Sequence, residues 1–404
     1  MFSFTIWGFT SLQLILLLLL IFLFAVELVY LFAVYNRLSR YAARAEKGGV
    51  KYVLDLPSVS VVVYAYADEA DAVVELLPRL LAQQYPQFEI IVVNDGVSFE
   101  VQNAIAMYEC EYKNVYQTAV PDKVYNVSRK KLGITLGVKA AKNDVVVVTE
   151  AYCMPQSDKW LYNMARNFVP GVDVVLGYTR MIDKDGVAPR DMSAYDRMLF
   201  GLRYLVYAVM KKPYMGMGGN LAYRKDAFFA NKGFSATLNL HYGDDDLLVN
   251  ELSDSRNTRV EISQESIVDA VHENVNADWE ELRTRYDFTS KYLRTSSRGV
   301  WASESVVHIL FWAVFVAVVS LLISQAIAGA LYSIIALAVA VLLFVLYWVL
   351  ASCVFGAAAR VLGERIWAGL VPLFQLIRPF VVLCRKIGRK ESKRSNFTWQ
   401  SLHR

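Results

Sequence analysis

Residues 130–150 read KKLGITLGVKAAKNDVVVVTE. KKLGITLGVKAAK (130–142) reads as a helix, and DVVVVTE (144–150) as a β-branched strand that stops on an acid. The same pairing recurs upstream. SVSVVVYAY (58–66) is followed by helical spacing in AVVELLPRLLAQQ (72–84), and FEIIVVND (88–95) by VQNAIAMYE (101–109). Continuous apolar strands alternating with helices predict an α/β domain with a mostly parallel sheet, covered on both faces. Ligands of such sheets bind beyond the carboxyl ends of the strands. Ala65, Tyr66, Asp68 and Glu69 stand there after the first strand, Asn94 and Asp95 after the second, and Glu150 and Tyr152 after the third. Asp68 and Asp71 also suit helix caps, whereas Asp95 precedes Gly96 rather than a helix.

The flanks of this domain have another character. The 404-residue chain is 55% hydrophobic, and the excess sits at its two ends. Trp7–Val26 carries no charge, enough apolar length to cross a bilayer, and Glu27 is expected to reach water at one end. No Lys or Arg precedes Arg37, so an uncleaved anchor is expected rather than a signal peptide. Residues 305–359 suit two spans with SQAIAG (324–329) as the turn. Arg37, Arg40, Arg44, Lys47, Arg294, Arg298, Arg360 and Arg365 flank the spans. By the positive-inside rule they put the N-terminus outside, and the middle domain and C-terminus in the cytoplasm, at the plasma (inner) membrane if the source is bacterial. The expected organisation is an anchor (1–36), a cytoplasmic domain (50–300), a two-helix hairpin (303–352), a membrane-surface segment (353–384) and a basic tail (385–404) facing anionic lipid.

Net charge is only +4 and the middle domain has no basic stripe, which argues against a nucleic-acid partner. The four cysteines show no CxxC spacing, so neither a disulfide framework nor a zinc site is expected. Phosphate-loop and dinucleotide signatures are missing, and GMGG (216–219) does not follow a strand as a dinucleotide loop would. GDDDLL (243–248) puts three acids at a helix start, which suits either the helix dipole or a general base of raised pKa. ADWEELRTRY (277–286) is either a salt-bridged helix or a source of arginine for phosphate oxygens.

In this order, ADE (67–69), NDG (94–96), the Lys-rich helix, a strand ending in EAY (150–152), GGNLAYRK (218–225), GDDD and the Trp-to-Arg helix resemble membrane-bound family-2 glycosyltransferases. The resemblance is to the processive-synthase-like kind with a GT-A domain. It covers roughly residues 58–292 and implies a Rossmann-like nucleotide-sugar-binding domain. It further implies transfer of a sugar from a nucleotide diphosphate donor to a lipid-linked or polysaccharide acceptor, with inversion. By the same resemblance Ala65, Tyr66, Glu69 and Asp95 hold the nucleotide, and Lys131, Arg285 and Glu150 face the diphosphate. Asp244, with Asp245 second, takes the acceptor proton. Gly218, Gly219, Asn220, Tyr286 and the helix around Tyr195–Met210 line the acceptor side. Where the family has DxD, a site for Mg²⁺ or Mn²⁺, this chain has Glu150-Ala151-Tyr152, which leaves Glu150 as the metal ligand. Where the family has QxxRW it has Leu282-Arg283-Thr284-Arg285-Tyr286. These departures keep two outcomes open: an active transferase, or a nucleotide-sugar-binding scaffold relative without catalysis.

Overall fold

The computed structural model describes residues 5–6, 9–96, 98–186 and 189–388. Most of the basic tail therefore lies outside the described residues. The chain divides into a globular unit (38–294 with 359–365) and a helical unit (1–37, 295–358 and 366–389).

The globular unit is built on strands β1 (Val59–Ala65), β2 (Phe88–Asp95), β3 (Val115–Val120), β4 (Val145–Glu150), β5 (Cys153–Pro155), β6 (Val174–Leu176), β7 (Thr179–Asp183), β8 (Leu221–Arg224), β9 (Thr258–Val260) and β10 (Val268–His272). Seven form one sheet in the order β9-β6-β8-β4-β1-β2-β3, and β5-β10-β7 form a second. The run β4-β1-β2-β3 is parallel throughout, and β8 runs antiparallel to both of its neighbours. Register aligns the strand ends: Tyr64 pairs with Glu150, and Ala65 with Asn94. The acids that close β2 and β4 thus reach one edge.

Helices α1 (Ala70–Leu81), α2 (Phe99–Glu111) and α3 (Arg129–Ala140) connect these strands, as the alternating pattern predicts. Every residue of β1 is buried, so both faces of the sheet are covered. One face packs Val59, Val61, Val63 and Ala65 into a core with Leu76, Leu80 and Trp160. On the other face Val62 and Tyr64 meet α3. A Cβ at Gly133 would lie 2.6 Å from Tyr64 Cε2, and one at Gly137 2.5 Å from Val62 Cγ1. Glycine one turn apart on α3 is what allows this approach, and it fixes which residues of the first turn face the sheet edge. Further on come α4 (Trp160–Ala165), α5 (Met192–Val209), α6 (Lys225–Ala230), α7 (Asp246–Leu252) and α8 (Val275–Thr289).

Among the described residues three helical stretches are long and apolar enough to cross a membrane: Ser11–Glu46, Glu304–Ile327 and Leu331–Val361. The turn between the last two falls at residues 328–330, where Gly329 takes φ +85°, and so overlaps the last two residues of the expected SQAIAG. Glu27 does not reach water as expected. It is 5% exposed and pairs with His308 Nδ1 at 3.1 Å, while Trp312 Nε1 donates to His308 Nε2 at 3.1 Å. A carboxylate among apolar helices costs less when hydrogen-bonded inside than when facing lipid. The segment read as lying on a membrane surface is divided. Residues 359–365 pack into the globular unit, where Tyr178 Oη donates to Glu364 Oε1 (2.6 Å) and Arg180 Nη1 to the Gly363 carbonyl (2.7 Å). An apolar helix, Val371–Gly388, follows and contains Pro379.

Candidate active site

A cleft of about 750 Å³ opens at the carboxyl edge of the sheet. Tyr66, Glu69, Asp95, Glu150, Gly218, Gly219, Asp244, Asp245, Arg285 and Tyr286 all line it, although they come from six separate stretches of sequence. Ala65 does not: strand alternation turns it into the core beside Val63. Asn220 is likewise buried, accepting from Trp160 Nε1 (3.0 Å) and donating to the carbonyls of Tyr178 (3.0 Å) and Ser266 (2.8 Å). It ties strands together and does not line the cleft. α5, which carries Tyr195 to Val209, backs the site instead of lining it, with the Phe200 ring 4.7 Å from that of Tyr286.

One end of the cleft is built from β1, β2 and α3. Glu69 Oε2 accepts from the Tyr66 amide (2.9 Å), and burial outweighs that bond and pushes the Glu69 carboxyl up to about 7. Glu69 is itself the residue before α1 and makes no side-chain capping bond, so Asp68 is not the cap, and Asp71 lies within the first turn. Asp95 is met by Arg129 Nε at 2.7 Å, a partner that the motif order did not disclose. Gly96 takes φ +86°, which turns the chain away directly after the acid.

The floor of the cleft holds the acids of EAY and GDDD. Of the two adjacent lysines the structure brings Lys130 here, not Lys131. Lys130 Nζ lies 3.1 Å from Glu150 Oε2 and 2.9 Å from Asp244 Oδ2. Burial opposes its charge, but the two carboxylates prevail and hold the ammonium well above the ordinary lysine range. Lys131 is fully buried and donates to the carbonyls of Thr237 (2.7 Å) and Tyr242 (2.8 Å), and burial lowers it to about 8. It pins the loop that leads into GDDD, a positioning role behind the site.

Asp244 and Asp245 differ sharply. Burial would raise Asp244, but the Lys130 ammonium holds it below the usual carboxylate range. Asp245 is pushed up to about 6 by burial and then by the Asp244 charge. Its Oδ2 accepts from Tyr286 Oη (2.6 Å) and from the Gly218 amide (3.1 Å), and its Oδ1 from the Asp246 amide (2.7 Å). A carboxylate offers about four acceptor positions, so one remains for an incoming hydroxyl. Sequence order favoured Asp244 as base; in the structure Asp244 carries the ammonium, and Asp245 is the acid of raised proton affinity. Asp246 is buried and bonded to Thr289 Oγ1, joining α7 to α8 beneath the site.

Gly218 stands among these acids. A Cβ there would lie 3.4 Å from Glu150 Oε1, 3.5 Å from Asp245 Cβ and 3.7 Å from Asp244 Oδ2. Any side chain would therefore fill the space between the carboxylates. On α8, Arg285 pairs with Glu281 and lies 4.9 Å over the Tyr242 ring, at the wall of the cleft. Arg283 points elsewhere, stacking over Phe200 at 5.2 Å and Trp279 at 5.7 Å. Leu282 packs against the core where the resemblance would have a glutamine. His272, at the end of β10, also lines the cleft, with Nδ1 2.9 Å from Asp278 Oδ2. Sequence reading passed over it because it ends a strand of the second sheet.

The donor set does not suit the divalent ion that the resemblance implies. Tyr152 Oη donates to Glu150 Oε2 at 2.9 Å, and burial raises the phenol well above its ordinary value, so it offers a neutral oxygen. The same Oε2 carries the Lys130 ammonium. Hard cations require several anionic oxygens, and here the point between two carboxylates is held by a positive side chain. Among the described residues no group of three or more His, Cys, Asp or Glu is placed to hold a metal ion.

The mostly parallel sheet with its acidic carboxyl edge defines a GT-A-like α/β domain. Residues 60–229 match the family model described as glycosyl transferase family 2. No curated protein matches the chain. Among solved structures, the mannosyltransferase PcManGT from Pyrobaculum calidifontis, in complex with GDP-Man and Mn²⁺, is similar at 16% identity and TM-score 0.49, over 85% of this chain and 98% of that one. S. aureus TarS is similar at 16% identity and TM-score 0.39, over 56% of this chain and 38% of that one.

Proposed function

We propose that the chain is an active membrane glycosyltransferase, which moves a sugar from a nucleotide diphosphate sugar to an acceptor hydroxyl with inversion. The observation that carries this reading is the Asp245 carboxylate. It faces the same cleft as Tyr66, Glu69, Asp95, Lys130 and Arg285, and its pKa of about 6 suits a base working near neutral pH. Asp245 accepts the proton of the acceptor hydroxyl as that oxygen bonds to the anomeric carbon. The bond from that carbon to the diphosphate breaks, and its electron pair leaves with the nucleoside diphosphate. Lys130 and Arg285 meet the charge that grows on this leaving group. Tyr286 orients the base and offers an aromatic wall to an acceptor sugar.

The acceptor is a lipid-linked or glycan hydroxyl presented at the membrane, with lipid around the three apolar helices. Arginines flanking these helices support a cytoplasmic active site and an outer N-terminus. Three spans are few for a polymer channel, which favours a single addition.

The test is release of nucleoside diphosphate from a panel of nucleotide sugars by the purified full chain. Turnover with at least one donor, lost in Asp245→Asn, is expected. No turnover with any donor would leave the scaffold reading in its place.

A further inference from the structure

The Lys130 ammonium lies where the resemblance puts a divalent cation, and Tyr152 stands where it puts that cation's second acid. A metal at this point would need Glu150 and a second carboxylate free to coordinate it. Both oxygens that converge there, Glu150 Oε2 and Asp244 Oδ2, are within 3.1 Å of Lys130 Nζ. Tyr152 adds a hydrogen bond to the same Glu150 oxygen and lies against His272, with ring centroids 5.3 Å apart. A bound cation would have to displace the ammonium and break the phenol's bond.

We propose that this chain binds the diphosphate of its donor without a divalent cation, with Lys130 as the resident positive charge between Glu150 and Asp244. The proposal rests on the nucleotide-sugar reading above and deepens it. The trio has a physical logic. A buried cation is retained only if it is paired, and the two carboxylates keep Lys130 charged while the site is empty of donor. An ammonium has three N–H donors. Glu150 and Asp244 take two, and the third is available to a phosphate oxygen entering the cleft. The neutral phenol of Tyr152 completes the substitution. With aspartate there, three carboxylates would surround one ammonium and the point would again favour a divalent ion. Lys130 and Tyr152 therefore act together: one supplies the positive charge, and the other adds no carboxylate that would attract a metal.

Calorimetry on the full chain in detergent tests this, with a panel of nucleoside diphosphates (UDP, GDP, ADP, CDP and dTDP) as probes, in EDTA and in MnCl₂. At least one diphosphate should bind in EDTA, with an affinity that Mn²⁺ changes by less than about threefold. Lys130→Gln should weaken that binding about tenfold or more, and Lys130→Arg should restore most of it. Lys130→Gln with Tyr152→Asp should recover binding in MnCl₂ but not in EDTA. Wild-type binding that appears only with Mn²⁺, or a Lys130→Gln variant that is folded and binds as wild type, would overturn the metal-free site while leaving the transferase reading intact. Failure of every diphosphate under both conditions would instead remove the nucleotide site itself, and this proposal with it. Unfolding midpoints of each variant separate lost binding from lost fold.

Discussion

The two ends of the cleft floor start from the same chemistry and finish with opposite properties. At one end Asp244 and Glu150 share an ammonium, which holds the Asp244 carboxyl below its ordinary range and offsets the negative charge locally. At the other, Asp245 has only neutral donors, a phenol and two backbone amides, and its proton affinity rises. Adjacent aspartates in one turn thus divide into a charge-holding end and a proton-accepting end. The difference comes from the partner each meets, not from residue type.

Removing the proton acceptor should have the largest effect. Asp245→Asn is expected to lower turnover by about 10²–10⁴-fold, the usual range for a general base, with diphosphate affinity nearly unchanged. The same change should stabilise the protein at neutral pH. A carboxyl whose folded pKa is raised binds its proton more tightly in the folded state. Its contribution to stability is therefore full below the ordinary carboxylate pKa and is lost as pH rises through about 6. Removing that loss should raise the unfolding midpoint above pH 7 by about 2 °C or more, by calorimetry.

A smaller effect sharpens the same comparison. The Tyr286 hydroxyl stabilises the ionised form of Asp245, so Tyr286→Phe should move the acid limb of the rate profile above pH 6. Glu69→Gln should leave that limb in place, because Glu69 sits at the nucleotide end. A limb that follows Glu69 instead would assign the titration to the wrong carboxylate.

The sheet and its edge were legible because β1, β2 and β4 announce themselves by β-branched residues, and β2 and β4 stop on an acid at one edge. What the pattern could not carry was phase. Lys130 and Lys131 differ by about 100° around α3, and Gly133 and Gly137, pressed on β1, decide which of them meets the cleft. Ala65 was misjudged for the corresponding reason in a strand: one step of alternation turns a residue into the core. Asn220 sits within the right motif, yet its amide is consumed by Trp160, Tyr178 and Ser266, partners far away in sequence. Three consecutive aspartates are indistinguishable until their partners are known. Residues 359–365 had the composition of a surface segment, and bonds such as Tyr178–Glu364 and Arg180–Gly363 reveal their place in the globular unit.

The smallest effect on chemistry should come from the other lysine. Lys131→Met removes two bonds from a charged donor to backbone carbonyls and should cost about 1.5–3 kcal/mol of stability. Diphosphate affinity of the folded protein should fall far less than in Lys130→Gln. Equal losses in the two variants would erase the distinction between the helix faces.

The most direct measurement compares Asp244→Asn and Asp245→Asn side by side, reading kcat and donor KM from nucleoside diphosphate release. Asp245→Asn should lose kcat with donor KM nearly unchanged, while Asp244→Asn should shift donor KM and retain measurable turnover. The opposite pattern, with kcat lost in Asp244→Asn and kept in Asp245→Asn, would contradict the division of the cleft floor.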